Sequence, residues 1–278
     1  MTNSRLSGAS SGRARQSKDT ANRFDREENV GENICWGRNP VLSLLENDPS
    51  RCLKVTLSRT MQRSVQEKII GLCRVSGIPF SMAEPKVIDS IVQGENHQGV
   101  SAVIASSGMI SLADAAGLLP KPPSQTLAVL LDHVQDPHNL GAMIRSAEAA
   151  SAAFVALPLR RSSLPTGTVV KTSAGASLRL PLAAVGNVAT AANELKEAGL
   201  WVIGLDSSAK TSIYSQPLPD RTLFVVGGEG KGLGRTTTDA CDETLRIPIS
   251  GSTGSLNASV ALAVAMFEWF RVHDIKRG

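Results

Sequence analysis

Aromatic side chains are scarce: they make up 4% of the 278 residues, and only one of them is tyrosine. That argues against RNA recognition by a platform of several stacked rings. Cysteine is scarce too. Cys35, Cys52, Cys73 and Cys241 form no C-x-x-C pair, and His97, His133, His138 and His273 fall into no ligand spacing with them. The pattern disfavours a metal site and a disulfide framework, and it fits a reducing, cytoplasmic setting. Long apolar runs are missing as well. The most apolar stretch, Leu256 to Phe270, is interrupted by Asn257, Ser259 and Glu268, too short and too polar for a membrane span. Nor does one sign of charge dominate: 29 Lys+Arg against 25 Asp+Glu leave +4, which permits an acidic partner such as RNA without demanding one.

What is present is a hydrophobic content of 42%, enough for a sizeable core, on a chain long enough for two domains. Residues 1–30 read as a basic, Ser-rich disordered tail. Its first 18 residues hold no acid, which leaves organellar targeting as an alternative to a cytoplasmic address. Residues 31–106 read as a small mixed α/β domain: helices over Asn39–Glu46 and Ser64–Ser76, strands over Leu53–Ser58, from Gly77 onward, and over Gly99–Ala105. Residues 107–125 read as a linker, because Pro120, Pro122 and Pro123 propagate neither helix nor central strand.

From 126 to 278 apolar runs alternate with helical segments. Strands are expected at Thr126–Leu131, Ala153–Leu157, Leu178–Ala183, Trp201–Leu205, Leu223–Val226 and Thr244–Ile249. Helices are expected at Leu140–Ala150, Val188–Ala198 and from about Asn257 to Arg271. Continuous apolar strands with intervening helices imply a mostly parallel sheet covered on both faces, so the fold class is α/β.

Three segments follow strands of this domain, where such sheets place ligands. The first runs from Asp132 through Asp136-Pro-His-Asn-Leu-Gly141 to Arg145, with Asn139 as helix N-cap. Gly141 one turn before Arg145 leaves room for something to lie against the helix near a cation; an Arg145–Glu148 surface ion pair is the plainer alternative. The second is Gly227-Gly-Glu-Gly-Lys-Gly-Leu-Gly234, which matches neither G-x-G-x-x-G nor a P-loop and taken alone could be a flexible turn. The third is Ile247-Pro-Ile-Ser-Gly-Ser-Thr-Gly-Ser-Leu-Asn257, where Ser255 and Asn257 can cap the last helix. An ordinary Rossmann oxidoreductase would instead carry its glycine fingerprint near the start of the α/β region, with an acid about 20 residues later.

Taken in order, D-P-H-N-L-G-x-x-x-R, G-G-E-G-x-G-L and I-P-I-x-G-x-x-x-S-L-N-x-S-V-A resemble the three signature motifs of the SpoU-type (TrmH-like) RNA 2′-O-methyltransferases of the SPOUT superfamily. Gly37-Arg-Asn-Pro-Val41 and His97-Gln-Gly-Val100 are similar to the ends of the substrate-binding domain in the subgroup that methylates a guanosine of 23S rRNA. Asn39 departs from it, since that subgroup usually has histidine there.

The resemblance implies a C-terminal SPOUT domain with a trefoil knot behind a small ribosomal-protein-like α/β domain that binds the RNA substrate. It implies S-adenosylmethionine as cofactor near Gly227, Gly228, Ile247, Ile249 and Leu256, and a homodimer. The expected reaction is methylation of a ribose 2′-hydroxyl, with a guanosine of 23S rRNA as target; a tRNA 2′-O-methyltransferase or a non-catalytic RNA-binding relative are the alternatives. Asn139, Arg145, Glu229, Ser255 and Asn257 match the family's catalytic positions. A guanidinium with pKa above about 12 makes a poor base. The role expected of Arg145 is therefore to hold a phosphate and stabilise charge on the 2′-oxygen. His133 and His138 are expected only to position the loop, and no metal is implied.

Overall fold

The computed structural model describes residues 34–105, 108–230 and 232–273. The expected tail, 1–30, lies outside the described residues, as does Lys231 of the glycine-rich segment.

The first unit contains β1 (Ile34–Trp36), α1 (Arg38–Asn47), β2 (Cys52–Ser58), α2 (Arg63–Val75), β3 (Phe80–Ala83), α3 (Pro85–Ile91) and β4 (Val100–Ile104). The sheet order is β1-β4-β2-β3, antiparallel except for the β2/β3 pair. Val41, Leu44 and Leu45 of α1 and Ile69 and Cys73 of α2 bury their apolar face against Val55 and Leu57. The helical and strand periods of the sequence are thus realised.

The second unit contains β5 (Ile110–Ser111), α4 (Leu112–Gly117), β6 (Thr126–Asp132), α5 (Pro137–Ala149), β7 (Val155–Pro158), α6 (Gly167–Thr172), β8 (Leu182–Val185), α7 (Val188–Glu197), β9 (Trp201–Leu205), β10 (Thr211–Ser212), β11 (Arg221–Gly227), α8 (Arg235–Ala240), β12 (Glu243–Arg246) and α9 (Ala258–His273). All strand pairs are parallel, in the order β10-β12-β9-β11-β6-β7-β8-β5. Residues alternate between two cores. Leu127, Val129, Leu131, Phe224 and Val226 face one layer with α5 and α9, whereas Ala128, Leu130, Leu223 and Val225 face α7. A sheet buried on both faces is what makes its strands read as unbroken apolar runs.

Several expectations need correction. Part of the presumed linker is ordered: residues 110–117 form β5 and α4, and β5 pairs with β8 at the sheet edge. The apolar run at Leu178–Ala183 is not one strand. Ala176–Leu178 is a short 3-10 turn after Gly175 at φ 80°, and β8 begins only at Leu182, after Pro181. The expected strand Thr244–Ile249 ends at Arg246, ahead of Pro248, which has no N–H for a ladder. The N-cap of α5 is Asp136, whose Oδ1 accepts the His138 N–H at 2.9 Å, and Pro137 takes the first helical position. Asn139 therefore lies inside the first turn with its side chain free for other work.

The two units touch through α6. Gly167 has no room for a Cβ, because the Ile34 carbonyl of β1 occupies that space. Lys171 lies 4.8 Å from the Trp36 ring centroid and 2.8 Å from Glu95 Oε2. Its hydrogen bond and charge hold the Glu95 carboxyl below its ordinary range.

Candidate active site at the ends of the central strands

A cavity of about 600 Å³ opens at the C-terminal ends of β9 and β11. Its walls bring together the glycine-rich segment and the last motif. Gly227, Gly228, Ile247, Ile249 and Leu256 all line it, and so do Glu229, Ser255 and Asn257. Leu205 and Asp206 at the end of β9 line it too, unforeseen from the sequence. The signal for them was available, since a polar residue directly after a parallel strand sits where such sheets bind ligands.

The glycines are forced by close packing of main chain. A Cβ on Gly227 would overlap the carbonyl of Gly232, and one on Gly228 would lie 2.5 Å from the carbonyl oxygen of His133. Buried Asp132 ties the loop to the strand end. Its Oδ2 accepts the Gly234 N–H at 3.0 Å, and its Oδ1 lies 2.5 Å from His133 Nδ1.

Asn139 joins the motifs. Its Nδ2 donates to Glu229 Oε1 and, at 3.1 Å, to Asp136 Oδ2; its Oδ1 accepts from Asn257 Nδ2 at 3.1 Å. Asn257 also caps α9 as expected, with Oδ1 accepting the Ser259 N–H at 2.9 Å. Ser255 is exposed at the cavity wall, and among the described residues its hydroxyl caps nothing.

Arg145 stands apart. It is exposed, does not line the cavity, and forms no ion pair or hydrogen bond among the described residues. The alternative pairing with Glu148 does not occur, because Glu148 binds Arg179 at 2.9 Å. The room beside Gly141 is filled by Thr172 of α6, so that glycine serves helix packing rather than ligand access. His138 is exposed at the start of α5. Among the described residues no cluster of His, Cys, Asp or Glu is arranged to hold a metal ion, and no helix is long and apolar enough to cross a membrane. The thiols are not activated either. Burial pushes Cys52 up to about 12 and Cys241 up to about 11.

This arrangement coincides with two family models. Residues 126–267 match the SpoU rRNA methylase family, and residues 34–109 match the RNA 2′-O ribose methyltransferase substrate-binding domain. The chain belongs to the SpoU rRNA methylase family. Its relatives in that family include the 23S rRNA (guanosine-2′-O-)-methyltransferase RlmB of Pseudomonas putida, 37% identical over 87% of this chain and 97% of the relative. RlmB of Xylella fastidiosa is 39% identical over 84% and 94%. Among solved structures, the AdoMet-bound rRNA methyltransferase of Sinorhizobium meliloti superposes with a TM-score of 0.73 at 23% identity, covering 87% of this chain and 88% of that one. The SpoU methyltransferase AviRb of Streptomyces viridochromogenes, in complex with AdoMet, gives 0.71 at 22% identity over 87% and 91%. At that identity these structures speak for the shared SpoU fold.

Proposed function

We propose that this protein transfers the methyl group of S-adenosylmethionine to a ribose 2′-hydroxyl of RNA, and that its substrate is a guanosine of 23S rRNA. The observation that carries this reading is that the second and third motifs line one cavity and that Asn139 of the first motif is hydrogen-bonded to both of them there, in a chain that matches 23S rRNA (guanosine-2′-O-)-methyltransferases along nearly their whole length.

The residues present fit the cofactor. About 600 Å³ is an ordinary volume for a small-molecule site. Leu205, Ile247, Ile249 and Leu256 offer apolar walls, the main chain of Gly227 and Gly228 offers hydrogen-bonding groups, and Asp206 offers a carboxylate acceptor to hydroxyl or ammonium groups. When bound, S-adenosylmethionine supplies an already activated methyl group. The protein's share is alignment and care of the hydroxyl proton. Asn139 holds Glu229 and Asn257 in one rigid set at the cavity rim, pre-organising polar groups for the incoming ribose. Arg145, exposed and without an internal partner, is suited to hold an adjacent RNA phosphate and to stabilise negative charge on the 2′-oxygen.

The same reading covers the finer architecture. The first unit is the RNA substrate domain, a ribosomal-protein-like module that selects RNA by shape. The chain after β12 threads back as a trefoil knot. In support, β12 lies beyond β9, yet α9 returns to pack on α5 and β11, while the intervening residues line the cavity. The protein works as a homodimer through the outer face of α9, where Val260 and Phe267 are 47% and 45% exposed.

The test is transfer of radiolabelled methyl from S-adenosylmethionine to purified 23S rRNA and tRNA, followed by nucleoside digestion. Label in 2′-O-methylguanosine from 23S rRNA is expected. Label only in tRNA would overturn the substrate. No label in either, with the cofactor bound, would overturn the reaction and leave a non-catalytic binder.

A further inference from the structure

The strand edge that carries the site extends beyond it. β7 lies next to β6 on the side away from β11, so the loop leaving β7 is the neighbour of the first motif. At a strand spacing of about 4.8 Å, it starts roughly 5 Å from that motif and about 10 Å from the glycine-rich loop. Residues 159–166 form this loop. The Ser163 N–H donates to the Val134 carbonyl at 2.8 Å, which fastens it to the first motif.

Its second and third residues are Arg160 and Arg161, both exposed. Arg161 holds φ 58°, a left-handed conformation rare for a long side chain. Several other cations of this unit are committed within the protein: Arg179 to Glu148, Lys171 to Glu95, and Lys196 to Asp242. Arg160 and Arg161 form no ion pair or hydrogen bond among the described residues, and Arg145 is in the same condition. Two adjacent guanidiniums repel each other, and the fold supplies neither with an anion. A polyanion approaching this strand edge supplies both.

We propose that Arg160 and Arg161 bind backbone phosphates of the substrate RNA next to the reacting nucleotide. The surface would set the register of the RNA across the ends of β11, β6 and β7. This inference rests on the RNA-methylation reading above, and its test separates the two.

The experiment compares wild type with Arg160→Gln/Arg161→Asn and Arg160→Lys/Arg161→Lys, using a 23S rRNA transcript over a range of salt. Asparagine tolerates the left-handed backbone, so the neutral pair should fold. Both methyl transfer and equilibrium RNA binding are measured. For the neutral pair, KM for RNA should rise at least tenfold while kcat at saturating RNA stays within twofold. The slope of log K against log salt should fall by about 1.4–1.8, since each phosphate contact contributes about 0.7–0.9. The lysine pair should keep that slope, and S-adenosylhomocysteine affinity and Tm should not move in either variant. A neutral pair with wild-type KM and wild-type salt slope would overturn the proposal. Wild-type protein that methylates no RNA overturns the proposed reaction instead, and the salt slope of binding still decides the phosphate contacts.

Discussion

Asn257 donates its side-chain amide to Oδ1 of Asn139 at 3.1 Å, joining the heads of α9 and α5 across 118 positions of sequence. Because the Asn139 amide group donates in turn to Glu229, one side chain fixes groups from both later motifs. Its carboxamide is needed on both counts, one end accepting and the other donating.

Replacing Asn139 by alanine should therefore release Glu229 and Asn257 together. Hydrogen bonds of this kind contribute about 1–3 kcal/mol when a charged partner is involved. The expected result is a kcat lower by roughly 10–100-fold. The cofactor Kd, measured by calorimetry, should stay within threefold, because the apolar walls of the cavity do not move. Asn139→Asp should fare worse, since it sets a carboxylate against Glu229. A wild-type kcat for the alanine variant would mean that the bridge has no role in turnover.

Gly227 is held by backbone, not by a movable side chain: the space for its Cβ is taken by the Gly232 carbonyl. Gly227→Ala should cost about 1–3 kcal/mol of stability through overpacking. For a chain of this size that is a Tm lower by roughly 3–10 °C. Gly251→Ala is the matched control, as nothing lies within 4 Å of its added methyl, and its Tm should not change. Equal Tm values for the two variants would show that the loop yields easily.

The strands best read from sequence are those buried on both faces, such as β6, β9 and β11, where burial itself writes the apolar run. Leu178–Ala183 misled for a related reason. Leu180 and Leu182 are core residues, but Leu180 reaches the core from a turn, and a short apolar run does not reveal which backbone carries it. β5 and β10, two residues each, are too short to show any period. The individual residues Gly227, Gly228, Ile247, Ile249 and Leu256 came from the family resemblance, while the segments that line the cavity were legible because they follow apolar strands, where α/β sheets place ligands. The pairings were not: Glu148 meets Arg179 from another element, and Gly141 meets Thr172, contacts that only the tertiary fold creates. The cap of α5 was within reach, since Asp136-Pro137 is itself an N-cap followed by proline at the first helical turn.

The cysteines should be inert in the folded protein. With thiols pushed up to about 12 at Cys52 and about 11 at Cys241, thiolate at pH 8 is at most about one part in a thousand at either. Ellman's reagent at pH 8 should react with fewer than one thiol per native chain over minutes, and with all four after unfolding in guanidinium. Rapid native reaction of two or more thiols would show that the first unit, which holds Cys35, Cys52 and Cys73, opens readily.

The outer face of α9 supplies a test of assembly. Phe267 is 45% exposed and makes its only described aromatic contact with Phe270 of the same helix, at 6.3 Å between ring centroids. Phe267→Glu adds a charge there without disturbing the packed inner face of Leu262, Ala265, Met266 and Trp269. Light scattering should report a dimer for wild type and a monomer for the variant, with a circular dichroism spectrum unchanged. A wild-type monomer, or a variant that stays dimeric, would place the contact elsewhere or remove it.

Arg145 offers the sharpest test of mechanism, because two roles for a guanidinium predict different pH behaviour. A group that holds phosphate and stabilises developing charge acts through its fixed charge and its planar fork of donors. Arg145→Lys keeps the charge but loses the fork, so kcat should fall by about 10–100-fold, with a pH profile parallel to that of wild type. Arg145→Ala should lose more, on the order of a thousandfold, in line with removal of a single charge-stabilising donor. A lysine variant with near-normal turnover and a profile displaced toward lower pH would be the signature of a titrating base. That outcome would replace charge stabilisation with proton abstraction at this position.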